Sequence, residues 1–308
     1  MGIRGTRLHD DASLRISGNF PYITGMDGFL GQHEAAIRLG VFVGILVLMG
    51  IAESLAPRRV LSVARGFRWI NNLALVIVDT AVVRAIFPVL AVVFAAFARE
   101  RGWGLFNQIE APYWLAVIVS FVALDFVIYL QHRLFHVVPL LWRLHMVHHA
   151  DPDIDATTGV RFHPIEIALS MLIKFAAIAV LGAPALAVLL FEIVLNGTSV
   201  FNHANWRLPL GLDRLLRWLV VTPDMHRVHH SVIPAETNSN FGFNFPWWDR
   251  LCGTYRAQPA EGHDGMTIGL TQYQDQHRQG LVWMLLLPFT GTVGAYPKRT
   301  APGPLRPS

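Results

Sequence analysis

What most constrains this chain is a set of apolar runs too long and too poor in charge to be wetted. They cover residues 39–56, 70–98, 112–130 and 165–200. A helix needs about 20 such residues to cross a hydrocarbon core of roughly 30 Å. Of the 308 residues, 53% are hydrophobic and 15% charged, against about 25% charged in ordinary globular domains. Mean hydropathy is +0.41. Too few polar groups remain to cover a water-soluble surface, so the expectation is a multi-pass, all-α membrane protein.

The runs differ in kind. Residues 39–56 form a span that Pro57, Arg58 and Arg59 stop, with Glu53 near its end and able to reach the interface. Residues 70–98 contain Asp79, Arg84 and Pro88, and fit a tilted span, a span kinked at Pro88 or a re-entrant hairpin; one crossing is the preferred reading. Asp79 and Arg84 lie five apart, which leaves their pairing open. Residues 112–130 are a cleaner span. Residues 165–200 are broken at 182–184 and read as two half-length helices forming a hairpin that enters and returns on one side. Residues 205–260 are polar and Trp-rich, like a cap. Trp206, Trp218, Trp247 and Trp248 read as interface or packing residues. Residues 281–289 look interfacial, and 300–308, with three prolines, disordered. No signal peptide is recognisable in residues 1–37. The expected divisions are an N-terminal segment (1–37), a membrane-embedded domain (38–256) and a C-terminal segment (257–308).

Net charge is +4. The arginines beside the apolar runs (Arg58, Arg59, Arg65, Arg68, Arg133, Arg143, Arg214 and Arg217) read as positive-inside anchors near headgroups, not as a nucleic-acid surface. The one cysteine, Cys252, excludes an internal disulfide, a CxxC pair and a zinc finger. It reads as a small apolar filler in a turn.

Histidine is the anomaly, with 14 copies. His132 and His136 form HxxxH; His145, His148 and His149 form HxxHH; His226, His229 and His230 form a second HxxHH. Chance at this frequency supplies roughly 0.03 copies of HxxHH per chain. Spacings of three and four place imidazoles on one helix face, about 5–6 Å apart at Cβ, close enough to converge on a metal about 2 Å away. Adjacent histidines diverge by about 100°, so one of each pair can serve each of two metals. His203 is a further candidate ligand. His163 is a candidate substrate-side or ligand-supporting residue, and His9, His33, His263 and His277 read as surface residues. Asp125 and Tyr129 precede His132 on one helical face, where Asp125 could hydrogen-bond a ligand imidazole. All-imidazole clusters favour iron, zinc or copper over magnesium or calcium. No cluster holds the Glu of HExxH: the second positions are Arg133, Met146 and Arg227.

The order HRxxH, HxxHH, HxxHH between apolar runs resembles the fatty acid hydroxylase/sterol desaturase superfamily. So do Asp125-x-x-x-Tyr129-x-x-His132, Arg161-x-His163-Pro164-x-Glu166, Asn202-His203, the residues from Thr222 to His226, Asn240-Phe241-Gly242, and Trp248 to Thr254. The resemblance implies an integral-membrane helical bundle with a cytosolic, histidine-rich catalytic cap. It implies two iron ions (zinc could replace them in a purified sample) held by His132, His136, His145, His148, His149, His226, His229 and His230, with support for His203. Asp125, Tyr129 and His163 are the candidate catalytic residues. The implied partners are a lipid substrate, the membrane and an external electron donor, such as a b-type cytochrome, a ferredoxin or a similar reductase chain. The implied reaction is hydroxylation or desaturation of a lipid C–H bond by dioxygen. The alternatives are a tetrahydropterin-dependent ether-lipid monooxygenase, a non-catalytic membrane metal-binding or transport protein, and a zinc hydrolase.

Overall fold

A computed structural model describes residues 25–275 and 278–294. His9, His277 and the 300–308 tail fall outside them. The long helices are α1 (Gly25–Leu55), α2 (Arg65–Ile86), α3 (Ala91–Glu100), α4 (Tyr113–Val137), α5 (Pro139–His149), α6 (Pro164–Leu181) and α7 (Ala185–Asn202). The rest are α8 (Leu210–Leu216), α9 (Pro223–His229), α10 (Pro234–Thr237), α11 (Trp247–Leu251), α12 (Gly262–Gly265) and α13 (Leu281–Thr290), none of them longer than α3. Among the described residues there are no strands, only bridges pairing Pro57 with Trp206 and Ser231 with Ile268. Among the described residues, five helical stretches are long and apolar enough to cross a membrane: His33–Leu55, Arg65–Glu100, Tyr113–Val137, Pro164–Leu181 and Ala185–Asn202.

Proline and glycine set the breaks. Pro139 disfavours a helical Val138 and then opens α5 at its first turn, so the HxxxH motif ends one helix and the first HxxHH ends the next. Helix α6 stops at Gly182, whose φ of 65° is left-handed. Gly104 approaches there so closely that a Cβ would lie 2.0 Å from the Gly182 nitrogen.

The run at 70–98 is split at residues 87–90, around Pro88. Arg68 meets Asp151 at the histidine end, while Gly104 meets the far end of α6. The segment therefore traverses the bundle once. Asp79 does not pair with Arg84; it is buried with Oδ1 unpartnered. The hairpin at 165–200 is present, but its helices are not half-length: each has 18 residues, about 27 Å at 1.5 Å per residue. Buried Glu192 of α7 pairs with Lys174 of α6 at 2.5 Å and with Arg38 of α1 at 2.6 Å.

Several charges expected at the interface turn inward. Glu53 is buried and accepts from the backbone nitrogens of Ala156 at 2.6 Å and Asn205 at 2.7 Å. Arg68 is fully buried; it donates to Asp151 at 3.0 and 2.6 Å, to Thr158 at 3.0 Å, and to Asp155. Asn72 donates to Thr157 at 3.0 Å. Helices α1 and α2 thus grip the loop at 150–161 that leaves the first HxxHH motif. Cys252 is exposed rather than a packed filler. Leu270, Tyr273, Met284 and Leu287, beyond residue 256, share one core with Leu75, Trp142 and Met146.

Removing one member of a buried ion network strands the others, at a cost of about 3–5 kcal/mol. Arg68→Met should lower the thermal unfolding midpoint in detergent accordingly; an unchanged midpoint would show that the network is dispensable.

Candidate metal centre

Each histidine motif lies at a helix end. His132 and His136 occupy the last turns of α4, His148 and His149 close α5, and His229 ends α9 with His230 as the residue after it. His203 follows the last residue of α7. Thr222 caps α9, accepting from the Met225 nitrogen at 3.4 Å, and Pro223 opens the helix. All nine side chains are buried.

They sort into two groups. His132, His136, His145, His149 and His229 form one, and His148, His203, His226 and His230 the other; within each, the available ring nitrogens lie within 4.8 Å of one another. Both adjacent pairs divide between the groups. Their ring centroids are 5.3 Å apart for His148 and His149 and 5.5 Å for His229 and His230. The groups adjoin, with His149 and His230 stacked at 4.6 Å.

Neighbouring acceptors fix several rings. Nδ1 of His132 donates to the Phe241 carbonyl at 2.8 Å, that of His229 to Ser239 at 2.7 Å, and that of His203 to Ser199 at 2.7 Å. A carbonyl only accepts, so these Nδ1 atoms carry the hydrogen and each Nε2 offers a lone pair. His145 makes the same arrangement with the Glu166 carboxylate at 2.7 Å.

The inward nitrogens lack partners. Nε2 of His132, His145 and His229, and both nitrogens of His136, His149 and His230, are buried without hydrogen bonds. In the second group, His203 Nε2 lies 3.1 Å from His148 Nε2 and 3.0 Å from His226 Nε2. Nitrogens about 2.1 Å from a common tetrahedral ion sit about 3.4 Å apart, close to that spacing. Lone pairs aimed at one another in a dry interior are what a cation satisfies. These residues can hold metal ions.

Burial, reinforced by neighbouring histidines, holds His148, His149, His226, His229 and His230 well below the ordinary imidazole range. Burial lowers His145 and His203 to about 3. The imidazoles are therefore neutral near pH 7, the form that ligates metal.

Asp125, Tyr129 and His163 join neither group. None of the hydrogen bonds of Asp125 goes to an imidazole. Its carboxylate accepts from the Asn244 nitrogen at 3.3 Å, the Phe245 nitrogen at 3.4 Å and Trp248 Nε1 at 2.7 Å, so its charge is balanced by the 244–248 loop. Tyr129 meets Thr254 Oγ1 at 2.9 Å and sets its ring against Phe241. His163 caps α6, accepting from the Ile165 nitrogen at 3.2 Å, with Nε2 3.2 Å from the Leu285 carbonyl. His33 is exposed. His263, expected at the surface, is instead buried 3.8 Å from Asp224, and burial lowers it to about 4. Glu166 is the residue that sequence reasoning passed over, although it stood inside a quoted motif.

Membrane-length helices carrying two adjoining, buried, all-imidazole groups at one end define a membrane metalloprotein. The fatty acid hydroxylase family model matches residues 117–254, a stretch that includes all nine histidines. An ornithine lipid hydroxylase of Rhizobium tropici is 31% identical over 180 residues, covering 58% of this chain and 52% of that protein. A very-long-chain aldehyde decarbonylase of Oryza sativa subsp. indica is 30% identical over 189 residues, covering 58% and 68%. An alkylglycerol monooxygenase of Xenopus tropicalis is 28% identical over 183 residues, covering 56% and 38%. This chain belongs to the fatty acid hydroxylase family. It spans about half of the ornithine lipid hydroxylase and less of the alkylglycerol monooxygenase. No solved structure matches it.

In the metal-free protein the depressed imidazoles have a definite sign. Below an unfolded value near 6.5 the unfolded chain binds protons that the folded chain refuses, so stability falls as pH drops toward about 3. Each such histidine contributes about 1.4 kcal/mol per pH unit inside that window. The unfolding midpoint of metal-stripped protein should therefore fall between pH 7 and pH 5; a flat profile would contradict the buried neutral cluster.

Proposed function

We propose that this chain is a membrane oxidoreductase that uses dioxygen and external reductant to hydroxylate a C–H bond of a lipid. His132, His136, His145, His149 and His229 would hold one iron, and His148, His203, His226 and His230 a second. The observation that carries this reading is the meeting of two all-imidazole groups, with unpartnered nitrogens, at the end of an apolar core. Two irons bound there would supply the dioxygen activation that C–H oxidation requires, with the electrons drawn from the external reductant.

The chain's own residues orient the ligands and exclude water. Phe162 stacks on His148 at 4.5 Å and faces His145 at 6.1 Å. Phe243 approaches His132 at 5.3 Å and His226 at 6.1 Å. Each ring therefore touches both groups. Both belong to the core formed with Leu124, Ile128 and Phe191, so an acyl chain arriving along that core would meet the junction between the groups in a dry setting. Glu166 keeps the His145 hydrogen on Nδ1 and its lone pair on Nε2. The Glu166 carboxylate thus supports a ligand from outside the group, and neither group holds a carboxylate that could serve a zinc hydrolase as base. Transport across the bilayer has no support either, because both groups lie at one end of the helices.

The family supports a lipid substrate, and the electron donor assigned with it is a b-type cytochrome, a ferredoxin or a similar carrier. The named relatives act on ornithine lipids, alkylglycerols and very-long-chain aldehydes, which favours a membrane lipid as substrate. Exposed Arg133, Arg207 and Arg214 near the histidine end favour a cytoplasmic orientation by the positive-inside tendency. The similarity to alkylglycerol monooxygenases supports one second reading, ether-lipid oxidation dependent on tetrahydropterin. Oxidation that needs added tetrahydropterin, and proceeds without a cytochrome or ferredoxin, would select it.

The test is lipid profiling of a host carrying the wild-type chain or His148→Ala. The wild type should bind about two irons per chain by elemental analysis and yield a lipid that gains one oxygen, whereas His148→Ala should lose both. A lipid that loses two hydrogens would mean desaturation, and identical profiles would refute the assignment. Glu166→Gln should reduce metal affinity or activity about 10–100-fold, read by the iron content of the purified protein and by the yield of oxidised lipid.

A further inference from the structure

Helix α8 and the turn after it are inside out. Asp213 and Arg217, two of their three charged residues, are buried, and only Arg214 is exposed. Asp213 accepts from Thr222 Oγ1 at 2.6 Å and pairs with Arg217 at 2.7 Å, and Arg217 donates to the Ala257 carbonyl at 2.7 Å. The apolar residues face outward: Leu210, Leu215, Trp218 and Leu219 are 60–73% exposed. In water this polarity is the reverse of an amphipathic helix, yet the segment lies outside every stretch long enough to span a membrane.

The patch extends to α11. Trp247 Nε1 donates to the Trp218 carbonyl at 2.8 Å, and the Arg250 guanidinium lies 4.3 Å from the Trp218 ring and 4.1 Å from that of Tyr255. Beside Arg250, Leu251 is 75% exposed.

Depth follows from α4. Trp248 packs on Phe126 at 4.7 Å and donates to Asp125, and Phe245 packs on Phe121 at 6.0 Å. Those residues precede His132 by up to three turns of a membrane-length helix, about 9–16 Å along its axis. The patch therefore stands beside a spanning helix, below the histidine layer. It is continuous with a face of α4 where Trp114 and Ile118 are more than half exposed.

We infer that residues 210–219 and 247–251 lie in the headgroup and upper acyl region of the bilayer, as a lateral membrane-contact surface of the cap. Leu210, Leu215, Leu219 and Leu251 enter the acyl boundary; Trp218, Arg214 and Arg250 sit at headgroup level, where aromatic rings and guanidinium groups are at home. The part bearing the second HxxHH motif is thus anchored sideways, and the histidine layer is at the membrane surface rather than raised above it. The inference rests on the spanning helices, not on the chemistry, so it can fail while the oxygenase reading stands, and the reverse.

The chain supplies its own probe, because its single cysteine, Cys252, is exposed and adjoins Leu251. Full-length protein labelled there with bimane, in phosphatidylcholine–phosphatidylglycerol vesicles, should be quenched about twofold or more better by nitroxide high on the acyl chain than by aqueous iodide. A label at Glu261→Cys in a Cys252→Ser background, on an exposed cap residue, should show the opposite preference. Equal iodide quenching at the two positions would overturn the inference. So would a Cys252 label shielded from both quenchers, which would mean that a protein covers the patch.

Discussion

Nine imidazoles sealed away from water with no carboxylate inside either group set the terms for everything around them. In such a place each ring stays neutral, since a proton would add a charge that nothing answers. Each must also be oriented, or lone pairs and N–H groups would mix. The carbonyls of Ser199, Ser239 and Phe241 and the Glu166 carboxylate provide that orientation. They come from α7, the loop after α10 and the start of α6, so the site is only as ordered as the packing of these distant pieces.

That packing is secured by charge as much as by apolar contact. Arg68 with Asp151 and Asp155, and Glu53 with the backbone of Ala156 and Asn205, tie the first two helices to the loops that leave the histidine motifs. On the opposite flank Asp125 receives three N–H groups from the loop at 244–248, and Asp249 receives those of Phe241 and Gly242 at 2.8 Å. One carboxylate per loop replaces the regular backbone pairing that such irregular chain would otherwise lack.

The histidine spacings and the apolar runs were legible because both are local: a three- or four-residue interval already fixes which groups share a helix face. His203 was legible only as a residue ending a hairpin that had to return. Partners separated by long stretches of chain left no such mark. An acid near a helix end, such as Glu53, looks the same in sequence whether it turns to headgroups or to a buried loop. Asp125 was legible as a buried charge needing an answer, but the answer is the loop at 244–248 and not an imidazole. His263 was misread because its spacing to Asp224 exists only after folding.

Because none of the ligating nitrogens reaches the surface, a small chelator has nothing to grasp on the folded protein. Release of a bound ion would wait on a local opening, most simply lifting of the short helix α9 with its Thr222 cap. Exchange would then follow the frequency of that opening rather than the strength of a metal–nitrogen bond. Loading faces the same barrier, which favours capture of the ions while the chain is still assembling in the bilayer.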